Sequence, residues 1–157
     1  MPTHYFSRPP VLGAAKFADF VSDVRKLAKA LPSDIVIRGR NGVGKPQINN
    51  KVVAFNGDSA QRAEREPLII QQTYTLRPPS RMREGVFLDF CKTGGKRYDL
   101  IVVAALYAFI HRFPDCRFTT DATANELSDG YDLFMRVVKP APSRASLFLF
   151  ERPLKRD

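Results

Sequence analysis

Apolar positions between residues 14 and 31 fall at Phe17, Phe20, Val21, Val24, Leu27, Ala28 and Leu31. Steps of three and four trace one stripe along a helix, with Lys16, Asp19, Ser22, Asp23, Lys26 and Lys29 on the other side. Pro32 ends it. Residues 100–110 are apolar at every position. That pattern predicts a helix over 99–113 that is buried all round, with Asp99 capping its first amides. A third helix is expected to start from Ser128 and Asp129 as caps. It buries Leu133, Phe134, Val137 and Val138 and ends at Pro140 and Pro142.

Shorter segments read as strands: 34–38, 51–55, 68–75, 86–91 and 117–120. In 86–91 the residues Val86, Leu88 and Phe90 share one face and Asp89 takes the other. Asn56 and Gly57 are a turn signal closing the strand before them. Residues 1–13, with Pro2, Pro9, Pro10 and Gly13, read as an N-terminal arm. If 68–75 pairs with 86–91, then 76–85 is the protruding tip of a hairpin. The tail 140–157 is rich in Pro and Phe. Its run Leu147, Phe148, Leu149 and Phe150 reads as an edge strand of the same sheet or as a docking peptide for a protein partner. No repeat and no linker divides the chain. The expected fold is a single α+β domain over 1–157, a mostly antiparallel sheet of four to six strands packed with two or three helices, the 99–113 helix central.

Composition narrows the classes. Over 157 residues, 44% are hydrophobic and 26% charged, which excludes a disordered chain, a collagen repeat and a coiled coil. The longest apolar run is too short to cross a bilayer, and the first residues lack the pattern of a secretion signal. A cytoplasmic location without membrane contact is expected. Charge adds more. Lys and Arg number 25 against 16 Asp and Glu, a net +9. Such a surface attracts polyanions, nucleic acid first. The excess concentrates in residues 1–57, which hold nine basic and three acidic side chains. Sixteen of the cations are Arg, which grips phosphate bidentately.

Three cationic segments stand out. The tip 76–85 holds Arg77, Arg81 and Arg83 on a loop stiffened by Pro78 and Pro79. The segment 39–45 fits G-x-x-x-x-G-K, the pattern of a phosphate-binding loop. Yet Pro46 stands where a magnesium-holding Ser or Thr is needed, and no helical pattern follows. The expectation is a glycine-rich connection presenting Arg38, Arg40 and Lys45 to phosphate. In the third segment Lys92, Lys96 and Arg97 surround Gly94 and Gly95 just before a helix, a candidate anion site.

Candidates for catalysis are sparse. Cys91 beside Lys92 invites a nucleophile reading, but no base is at hand, since His111 lies toward the far end of its helix. Cys91 and Cys116, with His4 and His111, lack zinc-site spacing and read as free thiols. Asp58, Asp99, Asp121, Glu126, Asp129 and Asp132 form no dense acidic motif; Asp99 and Asp129 read as helix caps. No cofactor and no metal is implied.

The ordered series Phe55-Asn56-Gly57, Phe90-Cys91-Lys92-Thr93, Tyr98-Asp99 and Ser128-Asp129-Gly130 resembles a pattern in small, uncharacterised bacterial and bacteriophage proteins. It covers about residues 34–138. The resemblance implies a compact α+β domain and a mobile-element setting. It carries no known activity, so it assigns no functional residue. The residues themselves favour a non-enzymatic basic module contacting nucleic acid or a nucleoprotein assembly, mainly through phosphate. The alternative is a protein–protein or structural subunit docking through 140–157, and the third reading is a nucleotide- or nucleic-acid-processing enzyme.

Overall fold

The computed structural model describes residues 2–75, 82–83 and 85–139, with Met82, Arg83 and Phe87 described through their backbone. Arg77, Arg81 and the tail 140–157 lie outside the described residues. In chain order the elements are β1 (Thr3–Arg8), α1 (Ala14–Lys29), β2 (Ile37–Arg38), β3 (Gln47–Asn49), β4 (Val52–Gly57), β5 (Leu68–Gln71), β6 (Met82–Arg83), β7 (Val86–Lys92), α2 (Asp99–Arg112), β8 (Phe118–Thr120) and α3 (Ala124–Val138). This is an α+β domain whose described strand pairings are antiparallel.

The centre is α2, as its unbroken apolar run predicts. All ten residues from Ile101 through Ile110 are buried. Phe109 meets Phe6 of β1 and Phe20 of α1 edge-on, at 5.8 and 5.6 Å between centroids. Tyr107 meets Phe118 of β8 and Tyr131 of α3, each at 5.1 Å. The amphipathic α1 lays its predicted stripe on this core and joins α2 through a two-pronged bridge. Arg112 donates to the buried Asp23 carboxylate at 2.7 and 2.9 Å.

Two sheets surround these helices rather than the single sheet expected. One has the order β6-β7-β1-β8; in the other β4 pairs with β2, β3 and β5. The predicted N-terminal arm is in fact β1, an interior strand between β7 and β8. Its inward residues are His4, Phe6 and Arg8, so no hydrophobic alternation announces it. Arg8 is fully buried and donates to the carbonyls of Pro9 and Pro10. Burial pulls its guanidinium down to about 10.

Other expectations are corrected too. The segment 68–75 does not pair with 86–91. β5 pairs β4, while β7 pairs β1 and the short β6. The tight hairpin turn therefore sits after Arg83, at Gly85 with φ +75°. Asn56 and Gly57 form no turn but end β4. Neither Asp99 nor Asp129 caps a helix. Tyr98 occupies the cap of α2 without a side-chain bond. The cap of α3 is Thr123, in a reciprocal box with Glu126. Gly130 then lies inside α3 rather than at its start, because a Cβ there would strike Val103 of α2.

Candidate functional site

Three loops meet where β4 ends, and a buried Asn56 holds two of them together. Its amide nitrogen donates to the carbonyls of Arg40, at 2.8 Å, and Arg65, at 3.0 Å. Its amide oxygen accepts from the N–H groups of Gly57 and Arg65. The next residue must be glycine, since a Cβ at Gly57 would collide with the backbone of Ala63. The 39–45 loop and the 58–66 loop are thereby pinned side by side.

A third loop, 93–97, docks against the second. It turns through Gly94 and Gly95, with φ of +61° and +73°. Lys96 Nζ donates to the Arg62 carbonyl at 3.1 Å, and Tyr98 Oη donates to the Glu66 carbonyl. Arg97 lies 3.7 Å from Asp34, and Arg38 lies 3.7 Å from Asp58. The result is one surface carrying Arg38, Arg40, Lys45, Arg62, Arg65, Lys92, Lys96 and Arg97. Arg40 and Lys92 are half-buried; the other six are exposed. Asp34, Asp58, Glu64 and Glu66 are interleaved and Glu126 lies beside Gly95, so eight cations meet five carboxylates.

The predicted site residues thus divide. Arg38, Arg40 and Lys45 come together with Lys92, Lys96 and Arg97, which the sequence had placed in separate segments. Arg83 lies opposite Val86, at the other end of β7 from Lys92 and about 20 Å away along the strand. Arg77 and Arg81 fall outside the described residues. Arg62 and Arg65 were not foreseen. Among alternating Glu64 and Glu66 they read as a neutral polar stretch, and only the long-range bonds of Asn56 and Lys96 reveal their place.

The G-x-x-x-x-G-K segment is not a nucleotide loop. The Gly39 N–H donates to the carbonyls of Val43 and Gly44, and the Gly42 N–H to that of Gly39. Those amides face into the loop, and β3 follows in place of a helix. The start of α2 likewise has its own anion. The Asp99 carboxylate sits in the first turn, where it accepts from Thr93 Oγ1 at 2.5 Å and lies 2.6 Å from His4 Nε2. The dipole of α2 favours it there.

His4, Thr93 and Asp99 are buried, and Cys91 stands opposite His4 in the β1–β7 ladder. This brings a thiol, an imidazole and a carboxylate together; His4, remote in sequence, stands where His111 does not. The chemistry is nevertheless not nucleophilic. Burial, aided by Glu66, Asp99 and Asp89, pushes the Cys91 thiol well above its usual range. Its hydrogen faces the Glu66 carbonyl. The cluster ties β1 and β7 to the start of α2. Cys116 is also a free thiol, pushed up to about 11 chiefly by burial.

Most residues of the series noted above serve this framework. Phe55 is core, Asn56 and Gly57 hold the loops, Thr93 and Asp99 bond each other, Tyr98 braces Glu66, and Gly130 admits Val103. Among the described residues no group of three or more His, Cys, Asp or Glu is placed to hold a metal ion. Also among them, no helix is long and apolar enough to cross a membrane. Compared with family models, curated proteins and solved structures, the chain matches none.

Proposed function

We propose that this chain is a non-enzymatic module that holds nucleic acid, alone or within a nucleoprotein assembly, mainly through phosphate. The contact surface is the face built by the three loops at the end of β4. The observation that carries this reading is the convergence of cations from distant segments on one rigid support, fixed by Asn56 and Lys96. One of those cations, Arg97, sits in an exposed ion pair with Asp34 at 3.7 Å, while the exposed Arg38 lies 3.7 Å from the buried Asp58. An exposed pair contributes little, so the Arg97 guanidinium can exchange its carboxylate for phosphate. The loops also present backbone that is held in place, which lowers the ordering cost of binding.

Titration into labelled single-stranded DNA, duplex DNA and RNA at several salt concentrations tests this. The test variant combines Arg62→Asn, Arg65→Ala and Arg97→Ala; Asn suits the left-handed backbone at Arg62, where φ is +54°. Binding should weaken about equally across sequences, and the slope of log affinity against log salt should fall by about two to three. Unchanged affinity and slope in a folded triple variant refute the assignment of this surface.

A further inference from the structure

The described residues expose five large apolar side chains, and three of them, Val86, Leu88 and Phe90, alternate along β7. β7 pairs β1 along Phe87–Lys92 and β6 only at Val86 and Phe87, and the three side chains point to one face of this sheet. The opposite face, with His4, Phe6, Arg8 and Cys91, is buried. On the outer face Tyr5 pairs with Phe90, with ring centroids 6.2 Å apart, and Ser7 pairs with Leu88. Thr119 of β8 pairs with Tyr5 from the other side. The exposed Arg117 extends this ladder, its N–H donating to Ser7 Oγ at 2.9 Å. Alternation puts Lys92 on the same side as Phe90, two residues on, where β7 enters the cationic loop 93–97.

We propose that this face is a stacking platform for single-stranded nucleic acid. Tyr5 and Phe90 each take one base, and Lys92 and Arg117 contact the phosphates between and beyond them. A greasy protein contact would not call for paired rings on neighbouring strands framed by hydroxyls and cations. A base does, because it offers a flat apolar face joined to an anion. A duplex keeps its bases stacked on one another, so the ligand is unpaired. The inference rests on the reading that the cationic loops bind nucleic acid; it adds where the bases go and selects the single strand.

The test uses the full chain and labelled oligonucleotides of about 12 residues: poly-dT, poly-rU, an abasic strand of equal length and a duplex. The chain should hold dT and rU at least tenfold more tightly than the abasic strand. Phe90→Ala and Tyr5→Ala should each lose between fivefold and a hundredfold on dT, the range for one base stacked on an aromatic ring, and little on the abasic strand. Phe90→Trp and Tyr5→Phe should keep binding, which separates stacking from a folding defect. Equal affinity for dT and abasic strands, or equal losses on both, overturns the platform while leaving the phosphate reading intact. A wild-type dimer that Phe90→Ala turns into a monomer also overturns it, since the face is then a protein interface. Binding to none of the four at low salt defeats both readings.

Discussion

A methyl group added at Gly57 has no room. It would fall well inside contact distance of the Ala63 carbonyl oxygen, 2.5 Å from the Ala63 carbonyl carbon and 2.9 Å from Cδ1 of Tyr98. The nearest obstacles are backbone atoms, so no rotamer change relieves them. Overpacking a core costs about 1–3 kcal/mol, and a fixed backbone obstacle belongs at the upper end. Shifting Ala63 also strains the two bonds between Asn56 and Arg65, each worth about 1 kcal/mol net. The expected loss for Gly57→Ala is therefore about 4 kcal/mol, or roughly 10 °C in Tm for a domain of this size. Urea and thermal unfolding followed by circular dichroism measure it. Below Tm the variant should also bind nucleic acid less well, because the 58–66 loop carrying Arg62 and Arg65 is pushed from its support. Gly13→Ala is the control: nothing lies within 4 Å of the added methyl, and the cost should stay near the 1 kcal/mol or less of a poorer helix cap. A Gly57→Ala loss no larger than that of the control would refute the packing argument.

Two further predictions concern α2. Arg112→Ala leaves the Asp23 carboxylate buried without its two charged donors and should cost about 2–3 kcal/mol in urea unfolding. Arg112→Lys should recover only part of that, since a single ammonium cannot reproduce the fork. Burial and the neighbouring Arg112 hold the His111 imidazole below its usual 6.5, against the opposing pull of Asp23. The folded state therefore resists protonation. The unfolded chain takes the proton first as pH falls through 6.5, so stability held above that value is lost beneath it. His111→Gln should flatten the decline of unfolding free energy just below pH 6.5; an unaltered slope would refute this.

α1 and α2 were legible because burial alone dictates them, whereas α3 starts at Ala124, a turn before the Ser128 and Asp129 expected to cap it. α2 is apolar on every side, and α1 has one clean stripe, so both follow from spacing. β1 was illegible for the converse reason. Its inward positions are His4 and Arg8 as well as Phe6, and their polar groups are satisfied only by partners such as Asp99 and the Pro9 carbonyl. Nothing local signals such partners. Asn56-Gly57 misled because a turn and a close backbone approach demand the same residue types. The cationic site was half legible: Arg38, Arg40, Lys45, Lys92, Lys96 and Arg97 stood out as charge. Arg62 and Arg65 did not, because their significance lies in bonds their backbone makes to Lys96, 34 residues on, and to Asn56, nine residues back.

The interior position of β1 also bears on the order in which the molecule can assemble. Thr3 bonds a residue 118 positions away, Ser7 one 110 away, and His4 one 95 away. The β2–β5 sheet, by contrast, closes within residues 37–71. During synthesis that small sheet can form early, while β1 waits, unpaired, until β7, α2 and β8 have emerged. β1, made before every element it pairs with, is thus among the last to find its place. Its long loop closures should make the final step slow, and until then a strand with open hydrogen-bonding edges is exposed to whatever else can pair with it.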